Sequence, residues 1–488
     1  MNRRIVFVLA LIMSAHIFVV AQKKTVIDGV MSAKNQAIAN LERQHDYYKQ
    51  QALQIWNFAE VGYKEIKSSS LLKKTLLDHG FTIDSGVAGI PTAFVATYGS
   101  GSPVIGILAE FDALPGLSQD ATPEKLSLGG IAGHACGHHL FGVASSASAI
   151  ELKHHIEKNK ISGTIKVFGT PAEEGGSGKV YMVREGLFNN VDVVMHWHPD
   201  SKNEANPYTS LANKTAKFRF KGTSAHASAY PQNGRSALDG VESMNFMANL
   251  MREHIPSDTR MHYIITNGGK APNVVPDFAE VYYYMRHPRR NVLMELFDRL
   301  VNAAEGAALG TGTKMEYEII GGVYEVLPVD VLSRYMHENM SKVGGVTYTS
   351  DEVEFGKKIQ QSLIGERPSI SDASKIKPYK ELGEDNRSGG STDVADVSWV
   401  VPTVGLRAAT WIPGTPSHSW QAVASGGTEI GIKGMMVAAK TLTLMGIDLL
   451  SDNSIIERAK AEWKASRGAD FKYIPLIGNR KPALNYRD

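Results

Sequence analysis

A single cysteine in 488 residues excludes an internal disulfide, and with it any fold held by covalent staples. Net charge is almost absent as well: 52 Lys and Arg face 50 Asp and Glu. Such a balance offers no basic footprint for nucleic acid or another polyanion. Long apolar runs are scarce. Ile5–Ala15 (IVFVLALIMSA), followed by Ile17–Ala21, stands out. No other segment approaches the roughly 20 apolar residues expected of a membrane-spanning helix.

That first run has the layout of a secretory signal. Arg3 and Arg4 precede it, and Val19 and Ala21 suit a small-residue cleavage site. Residues 1–21 are expected to be removed, leaving a periplasmic or secreted chain free of the membrane. Arg3 and Arg4 leave with them, so the remaining charges balance. The composition of the full chain, 43% apolar and 21% charged, is that of an ordinary globular protein. Its length predicts two or three domains.

Val104–Ala109, Thr164–Gly169 and Val191–Met195 read as buried strands, with a helix over Gly142–Lys158 between them. This alternation predicts an α/β domain: a mixed, mostly parallel sheet flanked by helices, over residues 25–212 and 323–488. Between those halves the texture changes. Lys217–Lys221, Met261–Thr266, Ala279–Met285 and Lys314–Ile320 alternate like half-exposed strands, and Ser236–His254 and Asn291–Leu309 read as helices. Residues 213–322 therefore read as an inserted α+β domain. Residues 341–390 have no clear pattern.

Polar clusters fall where the sheet strands end, which is where sites form in open α/β sheets. Gly133–Gly142 (GHACGHHLFG) holds the lone cysteine. Cys136 and His138, two residues apart beside glycine, can reach one metal ion. Glu173-Glu174, followed by two glycines, suits a division of labour, one carboxylate binding metal and the other moving a proton. In His196-Trp197-His198-Pro199 strand alternation puts both histidines on one face, so the pattern does not choose between them. His418 adds a late imidazole. Together these clusters supply enough S, N and O donors for two ions and one spare carboxylate. A thiol enzyme built on Cys136 would leave Glu173, Glu174 and His418 without a task.

Seven runs, among them GILAEFDALPG (106–116), GHACGH (133–138), PAEEGGSG (171–178), HWHP (196–199) and SAH (224–226), give a resemblance. The chain resembles the co-catalytic metallo-amidohydrolases of the aminoacylase and carboxypeptidase type. That resemblance implies two divalent ions per subunit, zinc or manganese, and a homodimer formed through the inserted lid. It implies Cys136 as bridging ligand, Glu174 and His418 completing one ion's shell, and His138 and His196 the other's. Glu173 would be the general base. His226 would reach into a partner's site, Asn273 and Arg286 would hold a substrate carboxylate, and Asp112 would orient a ligand. The implied reaction is hydrolysis of an N-acyl amino acid or aminobenzoyl-glutamate-like amide. An exopeptidase acting on dipeptides and a metal-scaffolded binding protein are the alternatives. His139, where relatives carry Asp or Asn, and His198 are additional candidate ligands.

Overall fold

The structure, a computed structural model, describes residues 28–383 and 386–487. The expected signal segment, 1–21, lies outside them. The chain first lays down β1 (Thr82–Ser85), β2 (Phe94–Ser100), β3 (Val104–Ala109), β4 (Gly163–Gly169) and β5 (Val193–Asp200). It then leaves for a second sheet of β6 (Ala212–Lys221), β7 (Arg260–Asn267), β8 (Phe278–His287) and β9 (Lys314–Val323). It returns with β10 (Thr403–Ala409).

The first sheet has the order β1-β2-β4-β3-β5-β10. The pairs β4/β3, β3/β5 and β5/β10 are parallel, while β1/β2 and β2/β4 are antiparallel. This is the mixed, mostly parallel sheet that the strand–helix alternation predicts. Two long helices, α1 (His138–Asn159) and α4 (Glu429–Ser451), pack on each other and against it. Both are buried on all sides over most of their length, as helices enclosed in a core are. By length and composition α4 could span a membrane, contrary to the expectation that no second segment would, but 89% of its apolar window is buried inside this fold.

The second sheet is antiparallel, ordered β9-β6-β8-β7. It carries α2 (Ala237–Met251) and α3 (Arg290–Thr311), which pack on each other and on its strands. Strand alternation shows in β8, where Val281, Tyr283 and Met285 are buried between half-exposed neighbours. Phe246, Leu250 and Leu309 on the helices and Ile264 on the edge strand β7 stay exposed.

Part of the stretch without a clear pattern is helical. A helix over Asp330–Val343 is followed by one over Ser350–Gln361, which opens with a Thr349/Glu352 capping box.

Candidate metal centre

Strands β3 and β4 run parallel in register, Ala109 opposite Gly169, so their ends are level. The residues that follow are therefore neighbours. Asp112 Oδ2 accepts the Glu174 N–H at 2.9 Å. Its other oxygen, Oδ1, lies 2.9 Å from His138 Nδ1. An Nδ1–H donated to Asp112 would leave Nε2 to bind a cation.

The cysteine turn reaches the site through Gly137. Its φ is 74°, and a Cβ there would sit 2.7 Å from the Pro199 side chain. Only glycine permits both the left-handed backbone and the close approach. The contact brings Cys136 Sγ to 3.4 Å from His198 Nε2. His198 Nδ1 faces its own neighbour, the Pro199 carbonyl, at 2.6 Å, so its Nε2 is also free to bind. His418 arrives from the loop after β10, with its N–H donating to the Ala135 carbonyl at 2.9 Å. Its Nε2 stands 3.1 Å from Glu174 Oε1.

Among the described residues, the ligand atoms of Cys136, His138 and His198 lie within 4.8 Å of one another, as do those of Cys136, Glu174 and His418. Cys136 is common to both groups. His196 belongs to neither. It is paired in register with Gly405 on β10, where any Cβ would lie 2.3 Å from its Nε2. The histidine that the geometry brings to Cys136 is thus His198. His139 is also directed elsewhere, with its Nε2 3.0 Å from the Gly426 carbonyl.

His138 Nε2 and Glu174 Oε1 are buried and have no partner in hydrogen-bond geometry, although Glu110 Oε2 and His418 Nε2 respectively lie 3.1 Å from them. A divalent cation would satisfy both. The thiolate, imidazole and carboxylate donors fit such an ion. Burial first, then the Glu174 carboxylate, holds the Cys136 thiol well above its usual pKa. Burial, with Glu110 and Glu174 adding to it, likewise pushes Glu173 well above the usual carboxylate range. For His138 burial opposes the charged form, but Cys136, Glu110 and Asp112 outweigh it and raise the ring's pKa.

Sequence reasoning missed three charged residues beneath this cluster. Lys179 Nζ lies 2.8 Å from Glu110 Oε1 and 2.7 Å from Asp393 Oδ1, all three fully buried. Glu110 Oε2 lies 3.1 Å from His138 Nε2. The available signal was the position of Glu110, directly after β3 and two residues before Asp112.

His226, Asn273 and Arg286 do not line the roughly 270 Å³ cavity at Cys136 and Glu173. His226 and Asn273 sit together on an exposed loop pair of the second domain, where the Asn273 carbonyl accepts the Ala227 N–H at 3.0 Å. His226 Nδ1 accepts from the Ala229 N–H at 3.2 Å, so its Nε2 carries the hydrogen and faces outward. Arg286 lies on β8 opposite Asn213, its Nε buried without a hydrogen-bond partner among the described residues.

The chain is 38% identical over 470 residues to a p-aminobenzoyl-glutamate hydrolase subunit of Escherichia coli (strain K12), covering 91% of this chain and 97% of that protein. The model of the M20 peptidase dimerisation domain matches residues 212–311. This chain belongs to the M20 peptidase family. It is a metal-dependent amidohydrolase of that family. A more distant relative, the Xaa-Arg dipeptidase of Mus musculus, is 28% identical over 424 residues, covering 84% of this chain and 87% of its own. The fold is shared with an aminobenzoyl-glutamate utilization protein from Klebsiella pneumoniae (TM-score 0.59, 18% identity, 84% of this chain and 97% of that one). It is shared too with a dinuclear metal-binding M20 peptidase from Bacillus subtilis (TM-score 0.58, 16% identity, 84% and 99%).

Proposed function

We propose that this M20 enzyme is an exported homodimer that hydrolyses the amide of a carboxylate-bearing N-acyl amino acid, of the aminobenzoyl-glutamate kind. The observation that carries the chemistry is the sharing of Cys136 by two ligand groups, with Glu173 beside them in a third group with Glu110 and His138. Cys136, common to both groups, would help to hold two divalent ions, zinc or manganese, one with Glu174 and His418 and the other with His138 and His198. Bound there, such ions supply Lewis-acid polarisation of a carbonyl and a lowered pKa for water.

The chain's own residues do the rest. Glu173 takes a proton from the attacking water and passes it to the leaving amine. His226, with Nε2–H facing outward, donates to the substrate carbonyl in a partner's site, where charge develops on oxygen. Asn273 and Arg286 hold the substrate carboxylate. The exposed apolar residues of the second domain support its role in joining two copies.

A dipeptidase reading uses the same centre, and one observation weighs against a dipeptide ending in arginine. A second cavity of about 500 Å³ adjoins the metal cluster, sharing Tyr208, Ser388 and Arg407 with it. Lys202, Lys377, Lys380 and Arg387 line its walls. Its two acidic residues are already paired, Asp200 with Arg407 and Glu204 with Lys202. The surplus is positive and suits an anionic substrate.

The test is a panel of N-acyl-glutamates and Xaa-Arg dipeptides against the metal-loaded wild type and Glu173→Gln. The expected result is about two ions bound per chain in both proteins. Turnover of the glutamate amides should fall roughly 10²- to 10⁴-fold in the variant. Full turnover by Glu173→Gln, or no metal in either protein, would overturn the reading.

A further inference from the structure

The turn that carries Glu173 and Glu174 is backbone-strained. Ala172, Gly175 and Ser177 all have positive φ, at 58°, 99° and 58°, and two of them are not glycine. Such conformations are costly and persist only where the surroundings enforce them. Its internal hydrogen bonds are few: the Gly175 N–H to the Glu173 carbonyl and the Gly176 N–H to the Ala172 carbonyl. Restraint comes from distant parts of the chain. Glu65 accepts the Ala172 N–H at 2.8 Å, Asp112 the Glu174 N–H, and the Tyr63 hydroxyl donates to the Gly176 carbonyl at 2.7 Å.

The Glu174 carbonyl is held from elsewhere again. The Tyr486 hydroxyl donates to it at 3.2 Å and Arg487 Nη2 at 2.5 Å. Residues 471–487 contain no helix or strand, yet they are tied down along their length. Tyr473 donates to Asp396 at 2.6 Å, Ile477 is buried, and Arg184 donates to the Arg480 carbonyl at 2.7 Å. The end of the segment is fitted as well. Tyr486 packs edge-on against Tyr63, with centroids 5.5 Å apart. A Cβ at Gly62 would lie 2.1 Å from the Tyr486 hydroxyl.

We propose that Tyr486 and Arg487 are positioning residues for the hydrolytic reaction: by clamping the Glu174 carbonyl they fix the Glu174–Gly175 peptide and so the direction of the Glu174 side chain beside Glu173. The roles of those carboxylates rest on the function proposed above. The clamp itself does not. Without both donors the strained turn relaxes, and a rotation of that peptide displaces the Glu174 side chain. A misplacement near 1 Å is enough to cost about 10²-fold in rate.

The test compares wild type, Tyr486→Phe/Arg487→Ala and Tyr486→Phe/Arg487→Lys as metal-loaded full chains. Three quantities are read: kcat and KM on the best amide substrate, the melting temperature, and hydrogen exchange of the 173–177 amides. In the Phe/Ala variant kcat should fall at least about tenfold with KM within roughly twofold. Its 173–177 amides should exchange faster, and the melting temperature should stay near that of wild type because the 471–481 anchors remain. Lysine, which can still donate to the carbonyl, should restore part of kcat. An unchanged exchange rate at 173–177, or an unchanged kcat in the Phe/Ala variant, overturns the proposal. So does a kcat loss that only tracks a lowered melting temperature. If wild type hydrolyses no amide on the panel, the proposed function falls and the exchange comparison still decides the clamp.

Discussion

Cys136 Sγ and His198 Nε2 lie 3.4 Å apart, while His196, two residues earlier on the same strand face, is directed at Gly405. The two histidines should therefore behave differently when removed. His198→Ala should lose one of two bound ions and most activity, whereas His196→Ala should keep its metal. Metal content after gel filtration, alongside turnover, is the check. Two ions retained by His198→Ala would return the ligand role to His196.

His226 faces outward in its own subunit and does not line that subunit's cavity. Mixing two inactive variants, His226→Ala and Glu173→Ala, should then restore activity. In a mixed dimer one site draws a sound His226 and a sound Glu173 from opposite chains. Random reassortment gives half of all dimers this composition, each with one working site, so about a quarter of wild-type activity is expected. Zero recovery after verified subunit exchange would mean that each site is complete within one chain.

Lys179 stands as the cation between Glu110 and Asp393 in a fully buried cluster. Burial opposes its charge, but Asp393 and Glu110 outweigh that and raise its pKa. Lys179→Met would strand two buried carboxylates. Breaking a buried pair costs about 3–5 kcal/mol, so urea denaturation should show a loss of that order. A loss below about 1 kcal/mol would mean that the carboxylates simply take up protons.

Asp396 is buried, accepting from Tyr473 and from the Tyr324 N–H, and burial pushes its pKa up to about 7. The folded chain therefore keeps a proton that the unfolded chain, with an ordinary carboxylate near 4, has released. Between about pH 4 and 7 the folded state binds more protons, so this group makes stability fall as pH rises, by at most roughly 1.4 kcal/mol per pH unit. Asp396→Asn should flatten that slope. Melting temperatures from pH 5 to 8 read it directly, and an unchanged slope in the variant would assign the dependence to other groups.

The strands that position the site were legible because Val104–Ala109 and Thr164–Gly169 are short apolar runs cut off by turn residues. Strand β5 was legible only in its first half. Its continuation through His196-Trp197-His198 depends on pairing with β10, about 200 residues later, and no local pattern carries that information. The same pairing separates the two histidines, since Gly405 opposite one and Pro199 against Gly137 are tertiary facts. The buried Lys179, Glu110 and Asp393 look like surface charges until the strand ends stand side by side. The helix over Ser350–Gln361 is a different case: its Thr349/Glu352 capping box is a local signal, so that helix start was within reach of the sequence alone.

Strands β5 and β10 are neighbours in the sheet, yet the whole second domain lies between them in the chain. The second domain is rich in pairings between nearby segments, and closing a loop of this length is entropically costly and slow. Order of assembly follows. The inserted domain can form early, β10 must join late, and His418, beyond β10, comes later still. The Cys136, Glu174 and His418 group cannot exist in a chain that has folded only as far as its first five strands. Capture of an ion at that group is thus a chemical record that the first sheet has closed around the inserted domain.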